Sequence, residues 1–207
     1  MAAPGRLITF EGIDGGGKST QARRLASALE EAGARVRLTR EPGGTEGAEE
    51  IRRLLTEGAP ERWSPETECL LFTAARRDHL ERLIAPALAA GETVISDRFV
   101  DSTRVYQGAV RGDLRAMVDK LHALAIGREA DLTFILDLPA ERAAARIAGA
   151  DGGRRFEAFG LQMQARLREG FLALARAAPG RCHVIDAGRD ADEIAAGIAA
   201  IALSPPS

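Results

Sequence analysis

The chain has 207 residues, 45% of them hydrophobic, enough to bury one core and to build a single domain over residues 1–207 with at most a small lid. Its 28 basic and 30 acidic residues leave a formal net charge of -2, so no global basic field marks a nucleic-acid binder or a membrane-surface protein, and any phosphate it binds must be held locally. Cys69 and Cys182 are too few and too far apart for a disulfide framework or a clustered metal site; with no long apolar stretch near the start, they point to idle thiols in a reducing compartment, the cytoplasm, and away from a membrane.

In chain order, short apolar runs alternate with longer segments of helical period. Strands are expected at Leu7 to Phe10, Val36 to Thr39, Thr93 to Ser96, Leu132 to Leu136 and His183 to Ile185. Helices are expected at Gln21 to Ala32, Glu66 to Ala90, Leu114 to Ile126, Ala140 to Ile147, Leu161 to Ala177 and Ala191 to Ile201, where Leu, Ile and Ala recur at helical spacing. Ser64 reads as an N-cap beside Trp63. Gly149 to Arg155, "GADGGRR", is the most linker-like stretch. The alternation predicts an α/β fold with a five-stranded parallel sheet covered by helices on both faces.

The stretch "FEGIDGGGKST" joins the first strand to the first helix and matches G-x-x-x-x-G-K-[ST] at Gly12, Gly17, Lys18 and Ser19. Amides of Gly12, Ile13, Asp14, Gly15, Gly16, Gly17, Lys18, Ser19 and Thr20 would point at phosphate oxygens, and the helix N-terminus adds its positive dipole end. Lys18 would reach the outer phosphates and Ser19 would ligand magnesium. Lys18 and Lys120 are the chain's two lysines among 28 basic residues, so a compact ammonium stands where a phosphate cradle has no room for a guanidinium fork.

A triphosphate site admits GTPases, ATP-driven motors and small-molecule kinases. Neither lysine lies in an N-K-x-D guanine reader, and the strand "TVISDRF" ends in Asp97 and Arg98 instead of two adjacent acids. One acid to hold magnesium beside one cation suits transfer to a second phosphate better than hydrolysis.

With "TREPGGT" (39–45), "LFTAARRDHL" (71–80), "SDRFVDSTRVYQG" (96–108) and "DLTFILDLP" (131–139) added to the P-loop, the order and spacing of motifs resemble those of the bacterial thymidylate kinases along essentially the whole chain. The resemblance implies a three-layer P-loop kinase fold, transfer of the terminal phosphoryl group of ATP to dTMP with Mg2+ as cofactor, a homodimer, and neither nucleic acid nor membrane as partner.

It also implies roles residue by residue. Lys18, Arg98 and Asp14 belong to the catalytic set, Asp14 meeting the acceptor 3'-hydroxyl, and Asp97 joins Ser19 at the metal. Glu41 faces the site and Arg52 clamps the acceptor phosphate, although Arg52 alone reads equally as a solvated helix residue beside Arg53. Phe72 stacks on the pyrimidine and Arg76, four residues on, donates to a thymine carbonyl; by itself Phe72 reads equally as core. Thr103, Tyr106 and Gln107 complete the pocket, with Tyr106 against the sugar. Arg142, Arg146, Arg154 and Arg155 resemble a short arginine lid over about 142–157, with Glu157 toward the acceptor; Arg154 and Arg155 supply the cation that other members place in the P-loop, where this chain has Gly15 and Gly16. The family usually has alanine at the position of Gly16.

Overall fold

Three of the five strands are buried almost from end to end because both of their faces are covered. The computed structural model describes residues 5–59, 61–110, 113–148 and 160–204. In it β1 (Leu7–Glu11), β2 (Val36–Arg40), β3 (Thr93–Asp97), β4 (Leu132–Asp137) and β5 (Cys182–Asp186) form one sheet in the order β2-β3-β1-β4-β5, every pairing parallel. β1, β3 and β4 occupy the middle and are buried on both sides, whereas the edge strand β5 exposes part of one face and β2 parts of both. Each expected strand is present, one residue longer at its carboxyl end, and β5 begins one residue earlier.

The helices are α1 (Lys18–Glu31), α2 (Glu46–Thr56), α3 (Pro65–His79), α4 (Ala85–Ala89), α5 (Val100–Val105), α6 (Arg115–Ala125), α7 (Ala140–Ala148), α8 (Leu161–Ala177) and α9 (Ala191–Leu203). The single helix expected over Glu66 to Ala90 is divided. Pro86 cannot donate to the carbonyl one turn back, and a π turn at Leu80–Ile84 separates α3 from α4. α5 is a six-residue helix too short to show a period in sequence, and a second π turn, Tyr106–Val110, continues it. Ser64 caps α3 as expected, its Oγ accepting from the Thr67 amide at 3.2 Å with Pro65 in the first turn.

Period-two alternation on the central strands feeds two apolar clusters. Ile8, Phe10, Ile95 and Phe134 pack with Ala22 and Leu25 of α1 and Ile194 and Ile198 of α9, while Leu7 and Val94 pack with Cys69, Ile84, Phe99 and Val118. Both cysteines are free and buried, and burial pushes each thiol up to about 11, as expected of idle thiols. No helix among the described residues is long and apolar enough to cross a membrane.

Phe134 is fully buried with its ring 5.4 Å from that of Phe10, at the centre of the larger cluster. Phe134→Ala is expected to lower the unfolding free energy by about 3–5 kcal/mol in denaturant titrations; a loss below about 1 kcal/mol would show that the cluster closes over the gap.

Candidate active site

Parallel strands bring their carboxyl ends to one edge, and the loops that follow β1, β2 and β3 meet there. The register sets Phe10 beside Asp97 and Arg40 beside Asp97, so the P-loop, the turn after Glu41 and the Asp97–Arg98 pair leave the sheet at one level.

The P-loop closes on itself. Gly12 has φ 127°, and a Cβ there would lie 2.6 Å from the Leu136 carbonyl oxygen; Gly15 has φ 81° and a Cβ would lie 2.6 Å from that of Ala143. At Gly16 a Cβ would meet the Ile13 carbonyl oxygen at 3.1 Å, so glycine relieves a tight contact there. Lys18 Nζ donates to the Ile13 carbonyl at 2.8 Å and lies 3.5 Å from Asp14. The Ser19 hydroxyl donates to Asp97 Oδ2, which puts two hard oxygen ligands side by side at the entrance to α1. That pair fits magnesium, which binds through one or two protein oxygens plus substrate phosphates, and no group of three His, Cys, Asp or Glu is found among the described residues.

Arg98 adopts φ 72°, the left-handed region, where a non-glycine residue is strained by about 1–3 kcal/mol. Its amide donates to the Phe10 carbonyl at 2.9 Å and its carbonyl accepts from Ser96 Oγ at 2.7 Å. The guanidinium pairs with Asp14, donates to Ser102 Oγ at 2.9 Å, and lies 5.3 Å from the centre of the Tyr106 ring. Burial pushes the Asp14 carboxyl up, but the charges of Arg98 and then Lys18 outweigh it and hold the group at about 2.

On the other side of Arg98 lies a second group of polar residues. Glu41, 5% exposed, accepts from Arg76 Nε at 2.7 Å and lies 3.1 Å from His79 Nδ1, while His79 Nε2 is 2.8 Å from Thr39 Oγ1. Arg76 also donates to Thr103 Oγ1 at 3.0 Å, with its guanidinium 5.3 Å from the Phe99 ring centre. Phe72 is half-buried one turn before Arg76 on α3, and Gln107 Nε2 donates to Glu68 at 3.0 Å. Tyr106 is buried against Phe171, and burial pushes its phenol up to about 12. Arg52 donates to the Pro42 carbonyl at 2.7 Å; burial and then the charge of Arg40, with Arg98 adding to them, push its pKa down.

Of the lid residues, Arg142 donates to the Gly188 carbonyl at 2.9 Å, and Arg146 donates to the Ala187 carbonyl at 3.0 Å and to that of Gly15 at 3.4 Å. Both therefore pin α7 to the loop after β5, and Arg146 also pins it to the P-loop. Arg154, Arg155, Glu157 and the whole glycine-rich stretch 149–155 lie outside the described residues. Three further residues that hold the site, Glu11, His79 and Ser102, lie within the quoted motifs but receive no role from sequence, because partners of each come from distant parts of the chain.

A glycine-rich phosphate loop after the middle strand and an acid–arginine pair at the end of its neighbour define a P-loop nucleotide phosphotransferase. The thymidylate kinase family model matches residues 10–198. The chain is 68% identical to a thymidylate kinase of Dinoroseobacter shibae over 201 residues, 97% of each chain, and 51% identical to one of Caulobacter vibrioides over 200 residues, 96% of each. It superposes on the crystal structure of thymidylate kinase from Ehrlichia chaffeensis with a TM-score of 0.79 at 35% identity, covering 97% of this chain and 99% of that one. The chain belongs to the thymidylate kinase family.

One carboxyl at this edge titrates unusually. Glu11 is fully buried, and burial followed by the charge of Asp101 raises it from 4.5 to about 7, against the pull of Ser102, Arg98 and the Phe99 amide. A carboxyl raised on folding contributes stability below its unfolded pKa and loses that contribution as pH rises through the folded one. The unfolding free energy of the unaltered protein relative to Glu11→Gln is therefore expected to fall between about pH 4.5 and about pH 7 in denaturant titrations. A difference that stays flat across that range would show that Glu11 keeps an ordinary pKa.

Proposed function

We propose that this protein transfers the terminal phosphoryl group of ATP to dTMP, giving ADP and dTDP. The observation that carries the reading is the placement of Arg98 at the end of β3, where its guanidinium pairs with Asp14 of the phosphate cradle and donates to Ser102, the residue before the Thr103 that accepts from Arg76. A cation shared by two pockets serves a reaction in which a phosphoryl group passes from one to the other.

In this reading the P-loop amides and Lys18 hold the β- and γ-phosphates of ATP, and Arg98 with Arg52 holds the dTMP phosphate so that its oxygen attacks in line. No covalent intermediate on the protein is needed. Bound between Ser19 and Asp97 and the phosphates, Mg2+ would offset negative charge on the transferring group. Asp14, kept ionised by Arg98 and Lys18, accepts from the acceptor 3'-hydroxyl. Phe72 stacks on the base, and Arg76 donates to a thymine carbonyl. The buried ion pair with Glu41 supports that assignment, because it offsets the charge of Arg76 beside an uncharged base. Thr103, Tyr106 and Gln107 enclose the sugar and base, and Arg154 and Arg155 close from the lid as cations that exclude water. Two buried free thiols suit the reducing cytoplasm.

The test is magnesium-dependent ADP formation from ATP with dTMP, dUMP, dCMP, dGMP and dAMP offered separately beside a control without acceptor. Turnover with dTMP and recovery of dTDP is the expected result; equal ADP release in every tube would mean hydrolysis. Arg76→Ala is expected to raise KM for dTMP at least about ten-fold, about 1.4 kcal/mol, with KM for ATP within about two-fold. Equal loss toward both substrates would remove Arg76 from base recognition.

A homodimer belongs to the same proposal. Leu70 of α3 is 51% exposed and Leu124 of α6 is 87% exposed, and these two helices pack against each other, so their outer faces present apolar surface that a second copy would cover. Sedimentation is expected to show a dimer that Leu124→Glu weakens; a monomer at all concentrations would end this part of the reading.

A further inference from the structure

Glu11 is an unexpected residue in the middle of the sheet. It ends the central strand β1, is 0% exposed, and stands in a position where an apolar side chain would avoid the cost of burying a carboxylate. Both of its oxygens are engaged. Oε1 accepts from the Phe99 amide at 2.8 Å, and Oε2 accepts from the Ser102 hydroxyl at 2.5 Å. Ser102 Oγ in turn accepts from Arg98 at 2.9 Å.

Those two bonds reach Arg98 from opposite ends. Phe99 follows Arg98, so the first bond fixes the peptide that leaves its left-handed backbone. The second passes through Ser102 to the guanidinium. The peptide that enters Arg98 is held independently, by the Phe10 carbonyl, so the strained residue is clamped on both sides. The helix that carries Ser102 is itself anchored: Asp101, 2% exposed, accepts from Arg104 at 2.8 Å and from Arg181 at 2.6 Å and 3.0 Å.

We propose that Glu11 is a positioning residue for phosphoryl transfer, one that holds Arg98 at its backbone through Phe99 and at its guanidinium through Ser102. The proposal rests on the phosphotransferase reading above and adds to it the part that keeps the shared cation in place. Glu11 touches neither the P-loop lysine nor the acid–hydroxyl pair at Ser19 and Asp97 by any hydrogen bond among the described residues. Its effect therefore falls on the step that uses Arg98 and spares the ATP cradle.

The test is a double-mutant cycle on the full-length chain, reading kcat and the KM values for dTMP and ATP. Ser102→Ala removes the link to the guanidinium, and Glu11→Gln replaces an acceptor by an amide that cannot accept from both donors at once. Each is expected to lower kcat/KM for dTMP about ten-fold or more while KM for ATP stays within about two-fold. Ser102→Thr, which keeps the hydroxyl, is expected to recover activity to within about three-fold. In an Arg98→Ala background the further cost of Ser102→Ala or Glu11→Gln is expected to shrink below about two-fold, because there is no guanidinium left to position. Thermal unfolding of each variant reports the folded fraction, so activity is compared per folded molecule.

Costs that add fully in the Arg98→Ala background would overturn the proposal, as would equal losses toward ATP and dTMP, or a Ser102→Thr variant that folds but stays as slow as Ser102→Ala. Failure of the phosphotransferase reading looks different: the unaltered chain itself would make no dTDP.

Discussion

The site depends on one residue held in a conformation it would not choose. Arg98 leaves the central sheet with φ 72°, and that turn aims its guanidinium back across β1 at Asp14 instead of outward along the strand. Left-handed backbone costs about 1–3 kcal/mol outside glycine. The bonds of Arg98 with Phe10, Ser96 and Ser102, and those of Glu11 with Phe99 and Ser102 on either side of it, at about 1 kcal/mol each and more where a charge is involved, together exceed that cost. A flexible arginine at a strand end would sample many positions. Here the surrounding hydrogen bonds hold it in one, which is what the proposed role in positioning a phosphoryl group requires.

The same residue explains the electrostatics. A chain of net charge -2 gathers Lys18, Arg98, Arg52 and Arg40 at one sheet edge, interleaved with Asp14, Asp97 and Glu49. Two carboxyls share that edge and have opposite fates. Asp14 lies between Arg98 and Lys18, and the two cations overcome burial and hold it at about 2. Glu11 is more deeply enclosed, with the charge of Asp101 acting on it, and sits at about 7. Arg52 is pushed down by burial and by Arg40, a cation crowded by cations, and a bound phosphate would relieve that crowding.

Much of the fold was legible in the sequence. The five strands, the helices after the first and fourth of them and the Ser64 cap were readable because apolar period, glycine punctuation and capping chemistry are local. The P-loop was readable for the same reason: its glycines, lysine and serine act through consecutive amides within a single turn. What local pattern did not reveal was the π turn between α3 and α4, the six-residue α5, and the anchoring of Arg142 and Arg146 on carbonyls of the loop after β5, more than forty residues away.

By itself, then, the amino-acid sequence determined the class of sheet and the glycine–lysine–serine loop after its first strand, and it singled out Asp97, Arg98 and Arg76 as candidates for the site. Only the tertiary structure decided how those residues are held. Glu11 lies 88 positions from Phe99 and 91 from Ser102, and Glu41 lies 35 from Arg76 and 38 from His79. Nothing in the spacing of such residues announces a bond, because the distance between them is set by which strands neighbour one another in the order β2-β3-β1-β4-β5. The sheet order places the end of β1 against the end of β3, and that adjacency turns a buried glutamate and a distant serine into the frame of an arginine.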